Sequence, residues 1–227
     1  MSDVAKSTVT LGLIAAVCTA LVATTWHLTR ERIAANQEAM LEQSLEPALA
    51  GLFFDGKVSG SRLVIPPPHG LPGRDPVVVY RVYRQGEPVA ALFAVTAPDG
   101  YAGPIRVLIG VSFDGGITGV RILEHRETPG LGDRIEHDRS DWVEQFVGAA
   151  IGTPPLAAWR LKRDGGEFDQ LTGASVTPRA VLGAIRGTLT WYGEHRDEVF
   201  TEGDRHAGQD DTEVDRHGDV DDVDSQR

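Results

Sequence analysis

Residues 8–26, TVTLGLIAAVCTALVATTW, run for 19 positions without one charged side chain. As a helix the run rises about 28 Å, close to the ~30 Å hydrocarbon thickness of a bilayer. Such a segment must lie in lipid or in a deep core, and the rest of the chain has to fold around that choice. Lys6 precedes it, Arg30 and Arg32 follow it, and Trp26 stands where an interfacial aromatic belongs. A cleaved secretory signal is the alternative, but that calls for a more basic start and a small-residue cleavage site. Here ATTW runs on into HLTRER, so the expectation is one N-terminal transmembrane helix at 8–26 behind a short N-terminus at 1–7. Counting Lys and Arg alone slightly favours the following flank as cytoplasmic. Cys18, the lone cysteine, falls inside this run, which excludes an intrachain disulfide and suits packing.

Residues 27–50 read as a juxtamembrane helix. Ile33, Gln37, Met40, Leu41 and Leu45 recur at three- and four-residue spacing, and Pro47 ends the pattern. At the other end, residues 201–227 hold ten acids against three arginines, which is −7 of the chain's formal −11. A stretch so acidic and so poor in apolar residues cannot bury enough surface to order itself, so it reads as a disordered acidic tail. The acidic balance also argues against nucleic acid as a partner.

Between these ends, residues 51–200 read as one α+β domain, an antiparallel sheet with packed helices. PPPHGLPGRDP (66–76) is a rigid loop. VVVYRVYR, a QGEP turn and PVAALFAVTAP predict a hairpin, and IRVLIGVSF, a DGG turn and ITGVRILEHRE predict two more strands. SDWVEQFVGA predicts a helix capped by Ser140 with Trp142, Val143, Phe146 and Val147 on one face. AAWRLKRDGGEFDQ predicts a short strand and a turn. In TPRAVLGAIRGTLTWYGEHRDEVF, Thr177 is placed as N-cap and Pro178 as first helical residue, with Val181, Leu182, Ile185, Leu189 and Tyr192 as the buried face.

Chemistry concentrates in FDQLTGASVTPRAV (168–181), where small and hydroxyl residues cluster just before a helix. A serine nucleophile at Ser175 lacks the G-x-S-x-G elbow, since GASVT has threonine for the second glycine. His69, His125, His137 and His195 are the candidate bases for that hydrolase reading. No glycine fingerprint for a dinucleotide is present, and no His/Cys spacing suits zinc. Thr172, Ser175 and Thr177 could simply satisfy backbone groups at a helix entry. That leaves Gly173 and Ala174 unexplained, because bare residues let something large approach the backbone.

D-x-x-T-G-A-S, Asp169 to Ser175, is similar to the flavinylation motif D-x-x-[ST]-G-A-[TS] of FMN-binding domains. HRETPGLGD (125–133) and TAPDGYAGPI (96–105) resemble further elements of that family. Together with the leading apolar helix and GGEFDQLTGASVTPRAV, they resemble one branch closely, the G subunits of the Rnf (Rsx) ion-translocating electron-transport complexes, over roughly residues 8–192. The acidic tail lies outside the resemblance.

The resemblance implies FMN joined by a phosphoester to the last hydroxyl of the motif, which is Ser175 here where the family usually has threonine. Serine offers the same oxygen with fewer χ1 restrictions. Thr177 is the fallback acceptor and Thr172 a weaker one. Gly173, Ala174 and the backbone up to Val176 would share the phosphate with the N-terminal end of the helix. Asp169 would serve the attachment reaction, with a turn-forming aspartate as the bland alternative. Glu127, Thr128, Gly130 and Leu131 would form a loop against the isoalloxazine ring, Leu131 covering one face; an ordinary turn after a strand is the alternative. The implied function is electron relay by a covalent flavoprotein subunit, partnered by the membrane, by iron–sulfur and flavin subunits of the complex and by a flavin-attaching transferase. The implied place is the bacterial inner membrane, single-pass, with the flavin domain periplasmic, opposite to what the weak flanking charges favour. A membrane-anchored interaction domain without cofactor is the rival.

Overall fold

The computed structural model describes residues 45–49 and 51–201, together with 11–13, 15, 18, 19 and 43. Most of the expected transmembrane helix, most of the juxtamembrane helix and the acidic tail beyond Thr201 therefore lie outside the described residues. Among the described residues no helix is long and apolar enough to cross a membrane. The chain divides into two units, Met1–Leu45 and Glu46–Arg227, and the second carries the domain.

Five strands form one antiparallel meander in sequence order: β1 (Arg62–Ile65), β2 (Val77–Arg84), β3 (Glu87–Ala97), β4 (Ile105–Ser112) and β5 (Ile117–Glu124). The predicted hairpin turns are where the sequence puts them. Gln85 and Gly86 both adopt positive φ, 54° and 82°, the backbone twist that joins two strands through two residues. Alternation sorts the strands into two faces. Val79, Phe93, Ile109 and Val120 look toward the helical layer, and Phe93 meets the rings of Trp191 and Tyr192 edge-on at 6.1 and 5.8 Å.

The opposite face is shaped by two glycines. Gly110 of β4 pairs with Gly119 of β5. A Cβ on Gly110 would lie 2.2 Å from the Ala48 carbonyl oxygen, and one on Gly119 would lie 2.8 Å from Ala48 Cα. The bare patch lets the backbone of the turn Glu46–Leu49 lie directly on the sheet, where Thr118 Oγ1 donates to the Ala48 carbonyl at 2.6 Å.

Four expectations need correction. β1 has no counterpart among the predicted strands: RLVI has only four residues, too few to display an alternation, and it pairs as an edge strand with β2. SDWVEQFVGA forms a single 3-10 segment, Asp141–Phe146, not an α-helix. Ser140 does cap it, accepting from the Trp142 N–H, but Val147 lies beyond its end and is 42% exposed. AAWRLKRDGGEFDQ contains no strand. It winds through two 3-10 turns, Leu156–Ala158 and Lys162–Asp164, joined by an isolated bridge between Leu161 and Phe168.

The fourth correction bears on the site. The long helix α1 spans Val176–Thr201, so Thr177 stands inside its first turn and is not the N-cap. The predicted buried face, Val181, Leu182, Ile185, Leu189 and Tyr192, packs into the core as expected.

Candidate functional site

An aromatic cluster forms the floor of the site. Trp142 meets Phe146 at 5.1 Å, Phe146 meets Phe168 at 5.1 Å, and Phe168 meets Trp159 at 4.8 Å between ring centroids. These rings anchor both ends of the loop 158–168, which its own backbone then stitches shut. Lys162 N–H donates to the Phe168 carbonyl at 2.7 Å, Phe168 N–H to the Arg160 carbonyl at 3.2 Å and Glu167 N–H to the Ala158 carbonyl at 3.0 Å. Gly166 is required inside this closure, since a Cβ there would sit 2.1 Å from the Arg160 carbonyl oxygen.

The motif follows directly. Asp169 is held by its backbone: its N–H donates to Gln145 Oε1 and its carbonyl accepts from Trp142 Nε1, both at 2.6 Å. Its exposed carboxylate pairs with Lys162 Nζ at 2.7 Å. Leu171 is buried, and the Ala174 N–H reaches back to its carbonyl at 3.2 Å, closing a turn over Thr172 and Gly173. Gly173 sits at φ 85°, and a Cβ there would lie 3.0 Å from Leu131 Cδ2. Thr172 is exposed on the turn. Ser175 is half-buried immediately before α1, and its Oγ accepts a hydrogen bond from Arg163 Nη1.

The second expected loop comes to the same place. Leu131, 44% exposed, packs on Gly173, so HRETPGLGD and the TGAS turn touch. The Thr128 carbonyl accepts from the N–H groups of Leu131 and Gly132 at 3.2 and 3.0 Å, and Gly130 adopts φ 77°. Thr128 and Gly130 are exposed. Glu127 is not: at 5% exposure its carboxylate is buried between three elements. Oε1 accepts from the Ala102 N–H at 3.1 Å and Oε2 accepts from Thr177 Oγ1 at 2.6 Å. Gly132 leaves room for it, since a Cβ there would lie 2.8 Å from Oε2. Thr177, 1% exposed, thus spends its hydroxyl on a carboxylate, not on its own helix.

Charges around Ser175 are mostly committed. Arg179, one turn along α1, grips Asp164 with two bonds of 2.6 and 2.8 Å. That hydrogen-bonded pair holds the Asp164 carboxyl below the usual carboxylate range, partly offset by desolvation and helped by the charges of Arg179, Arg163 and Arg160. A cleft of about 530 Å³ begins one residue from Ser175, with Val176, Arg179 and Gly183 on the helix side and Gly70, Gly73 and Asp99 on the other.

No histidine stands against Ser175 among the described residues. His125 Nδ1 accepts from the Glu127 N–H at 3.0 Å, so its proton is on Nε2, 2.5 Å from Glu136 Oε1. His69 is bonded to Asp75 and Leu71, His137 to Glu144, and His195 to Trp191. The hydrolase arrangement is thus not assembled. Sequence reasoning missed Arg163, Lys162 and the Glu127–Thr177 bond. The basic doublet in LKRDGG was a visible signal for the first two; the third joins residues 50 apart and had none.

Residues 100–190 match the FMN-binding domain family, and residues 1–47 match the RnfG N-terminal region. The chain is 36% identical over 198 residues to the G subunit of the ion-translocating oxidoreductase complex of Pseudoalteromonas atlantica, covering 87% of this chain and 92% of that one. It is 38% identical over 197 residues to the corresponding protein of Shewanella loihica, covering 87% and 93%. With that of Aliivibrio fischeri it shares 35% over 201 residues, covering 88% and 96%.

Proposed function

The chain belongs to the G-subunit family of ion-translocating oxidoreductase complexes, and from that premise we propose that it carries FMN on Ser175 Oγ and relays electrons within such a complex. The other membrane, iron–sulfur and flavin subunits of the complex are its partners, and a flavin-attaching transferase loads it. Residues 8–26 anchor it in the bacterial inner membrane, with the flavin domain on the periplasmic side.

One observation carries the choice of Ser175: three motif-region hydroxyls are present, and they differ in what they face. Thr177 is buried and donates to Glu127, so esterifying it would open the core and strand a carboxylate. Thr172 stands on the exposed outer side of its turn. Ser175 is half-buried, faces a guanidinium, and lies where α1 presents its first N–H groups. The residues therefore fit a phosphate ester. Gly173 keeps the turn low enough for Leu131 to rest on it, and Leu131 with Thr128 and Gly130 offers an exposed apolar and backbone surface against the turn that carries Ser175.

Bound FMN supplies one- and two-electron chemistry that no side chain here can perform. The chain's part is positional. In the ester, Ser175 Oγ would hold phosphorus in place of its hydroxyl proton, and the tether would keep the cofactor from diffusing away. The Glu127–Thr177 bond locks the ring-side loop to the helix that starts beside the tether. Lys162, Gln145 and Trp142 fix Asp169 with its carboxylate outward, where a loading enzyme can read it.

Peptide mass spectrometry across residues 168–179 of protein taken from its native membrane tests this reading. One FMN is expected on Ser175, lost in Ser175→Ala and kept in Thr177→Ala. Protein without flavin anywhere on the chain would end it and favour the cofactor-free interaction domain.

A further inference from the structure

We propose that Arg163 is the fixed counter-charge of the flavin phosphate, a binding residue outside the D-x-x-T-G-A-S stretch. The inference rests on the Ser175 phosphoester argued above. Four cations lie near Ser175, and three have other engagements or sit further off. Arg179 is bound bidentately by Asp164, and Lys162 is paired with Asp169 at 2.7 Å. Arg160 acts on Asp164 through its charge. Of these four, Arg163 is the one bonded to the motif's last hydroxyl, a neutral oxygen, through Ser175 Oγ. Among the described residues no carboxylate forms an ion pair with it.

A guanidinium fork is matched to carboxylate or phosphate oxygens, and a hydroxyl satisfies one of its five donors. Replacing that hydroxyl by a phosphodiester puts a full negative charge and two free acceptor oxygens against the fork, with no rearrangement of the backbone. The backbone is also fixed to receive it. Arg163 sits in the middle of the turn Lys162–Asp164, which Gly165 ends at φ 82° and which the Phe168 and Leu161 backbone bonds hold shut. Without Arg163, the diester would have less positive charge beside it to offset the Asp164 carboxylate, which Arg163 also favours by its charge. The first turn of α1 supplies N–H groups from the other side.

The test uses the full-length chain purified from membranes of a host that also makes the flavin-attaching transferase, as wild type, Arg163→Gln, Arg163→Lys, Ser175→Ala and the Ser175→Ala/Arg163→Gln double variant. Covalent flavin is read by in-gel fluorescence and mass, and Tm by scanning calorimetry. The quantity of interest is the rise in Tm that loading brings, taken as the difference from the matching Ser175→Ala protein. We expect that rise to be smaller by about 3 °C in Arg163→Gln than in wild type, for the loss of one charged hydrogen bond in a domain of this size, and Arg163→Lys to fall between. A residue that only shapes the loop would lower Tm equally with and without flavin and leave the rise unchanged, which would overturn the proposal. If Arg163→Gln fails to load while Arg163→Lys loads, the positive charge is what matters and the proposal stands. If both fail to load, Arg163 serves contact with the transferase and the proposal falls. Wild-type protein with no flavin on Ser175 removes the preceding reading, and this one with it.

Discussion

At the scale of single residues, the site is organised by polar groups whose partners come from elsewhere in the chain. Thr177 and Glu127 show the consequence. Removing the hydroxyl leaves a buried carboxylate with one bond in place of two, which costs on the order of 1–3 kcal/mol. Thr177→Val should therefore lower urea-unfolding stability by about that amount, Thr177→Ser should restore most of it, and both should keep flavin on Ser175. A Thr177→Val protein as stable as wild type would show that Glu127 is satisfied without it. The exposed Asp164–Arg179 pair gives a pH signature. Because Asp164 is held below its ordinary pKa in the folded state, its contribution is present above the unfolded pKa of about 3.9 and is lost as pH falls through the lower folded value. The Tm gap between wild type and Asp164→Asn should be open at pH 6 and should close below about pH 3.9. A gap that widens on acidification would contradict the sign. The hydroxyl motif is plain in the sequence. Thr177's partner is not, because a threonine before a proline at a helix start looks like an N-cap until a carboxylate from another loop claims it.

At the scale of elements, periodicity told most where an element is long. β2 to β5 are apolar runs of eight residues or more and α1 repeats its apolar stripe over several turns, so pattern and packing agree. It told least where an element is short. β1 has four residues, and Asp141–Phe146 has the apolar spacing of a helix but only enough length for a 3-10 segment before Gly148 at φ 81°. The glycines separate two kinds of position with opposite predicted effects. Gly119→Ala would drive a Cβ to 2.8 Å from Ala48 Cα, so the sheet must shed the turn Glu46–Leu49 or distort. A loss of roughly 1–3 kcal/mol is expected, with faster proteolysis near residues 46–60. Gly193→Ala, on the exposed side of α1 with nothing within 4 Å of its Cβ, should instead stabilise by about 0.5–1 kcal/mol. Urea titration of both variants against wild type checks the pair, and the same sign for both would show that the contacts at Ala48 do not govern the sheet's second face.

At the scale of the whole molecule, the contacts that hold the flavin domain together among the described residues come from one stretch of the chain. The sheet is covered on one face by α1 and on the other by the turn Glu46–Leu49, and the aromatic cluster under the motif draws only on residues 142–168. All of these belong to the unit Glu46–Arg227, and so do the motifs and contacts proposed to hold the flavin phosphate and its tether. The 19 uncharged residues at 8–26 and the −7 of the tail should thus be dispensable for the fold and the tether, and should act on where the protein resides and what surrounds it. A fragment of residues 43–201 should accordingly leave the membrane fraction, unfold in a single transition, and still accept FMN on Ser175 when made with the transferase in the same compartment. Restoring 202–227 alone should shift its anion-exchange elution to higher salt, since those residues add seven net negative charges, without moving its Tm. A tail that raised Tm would have to be bound to the domain, and high salt would then remove the gain.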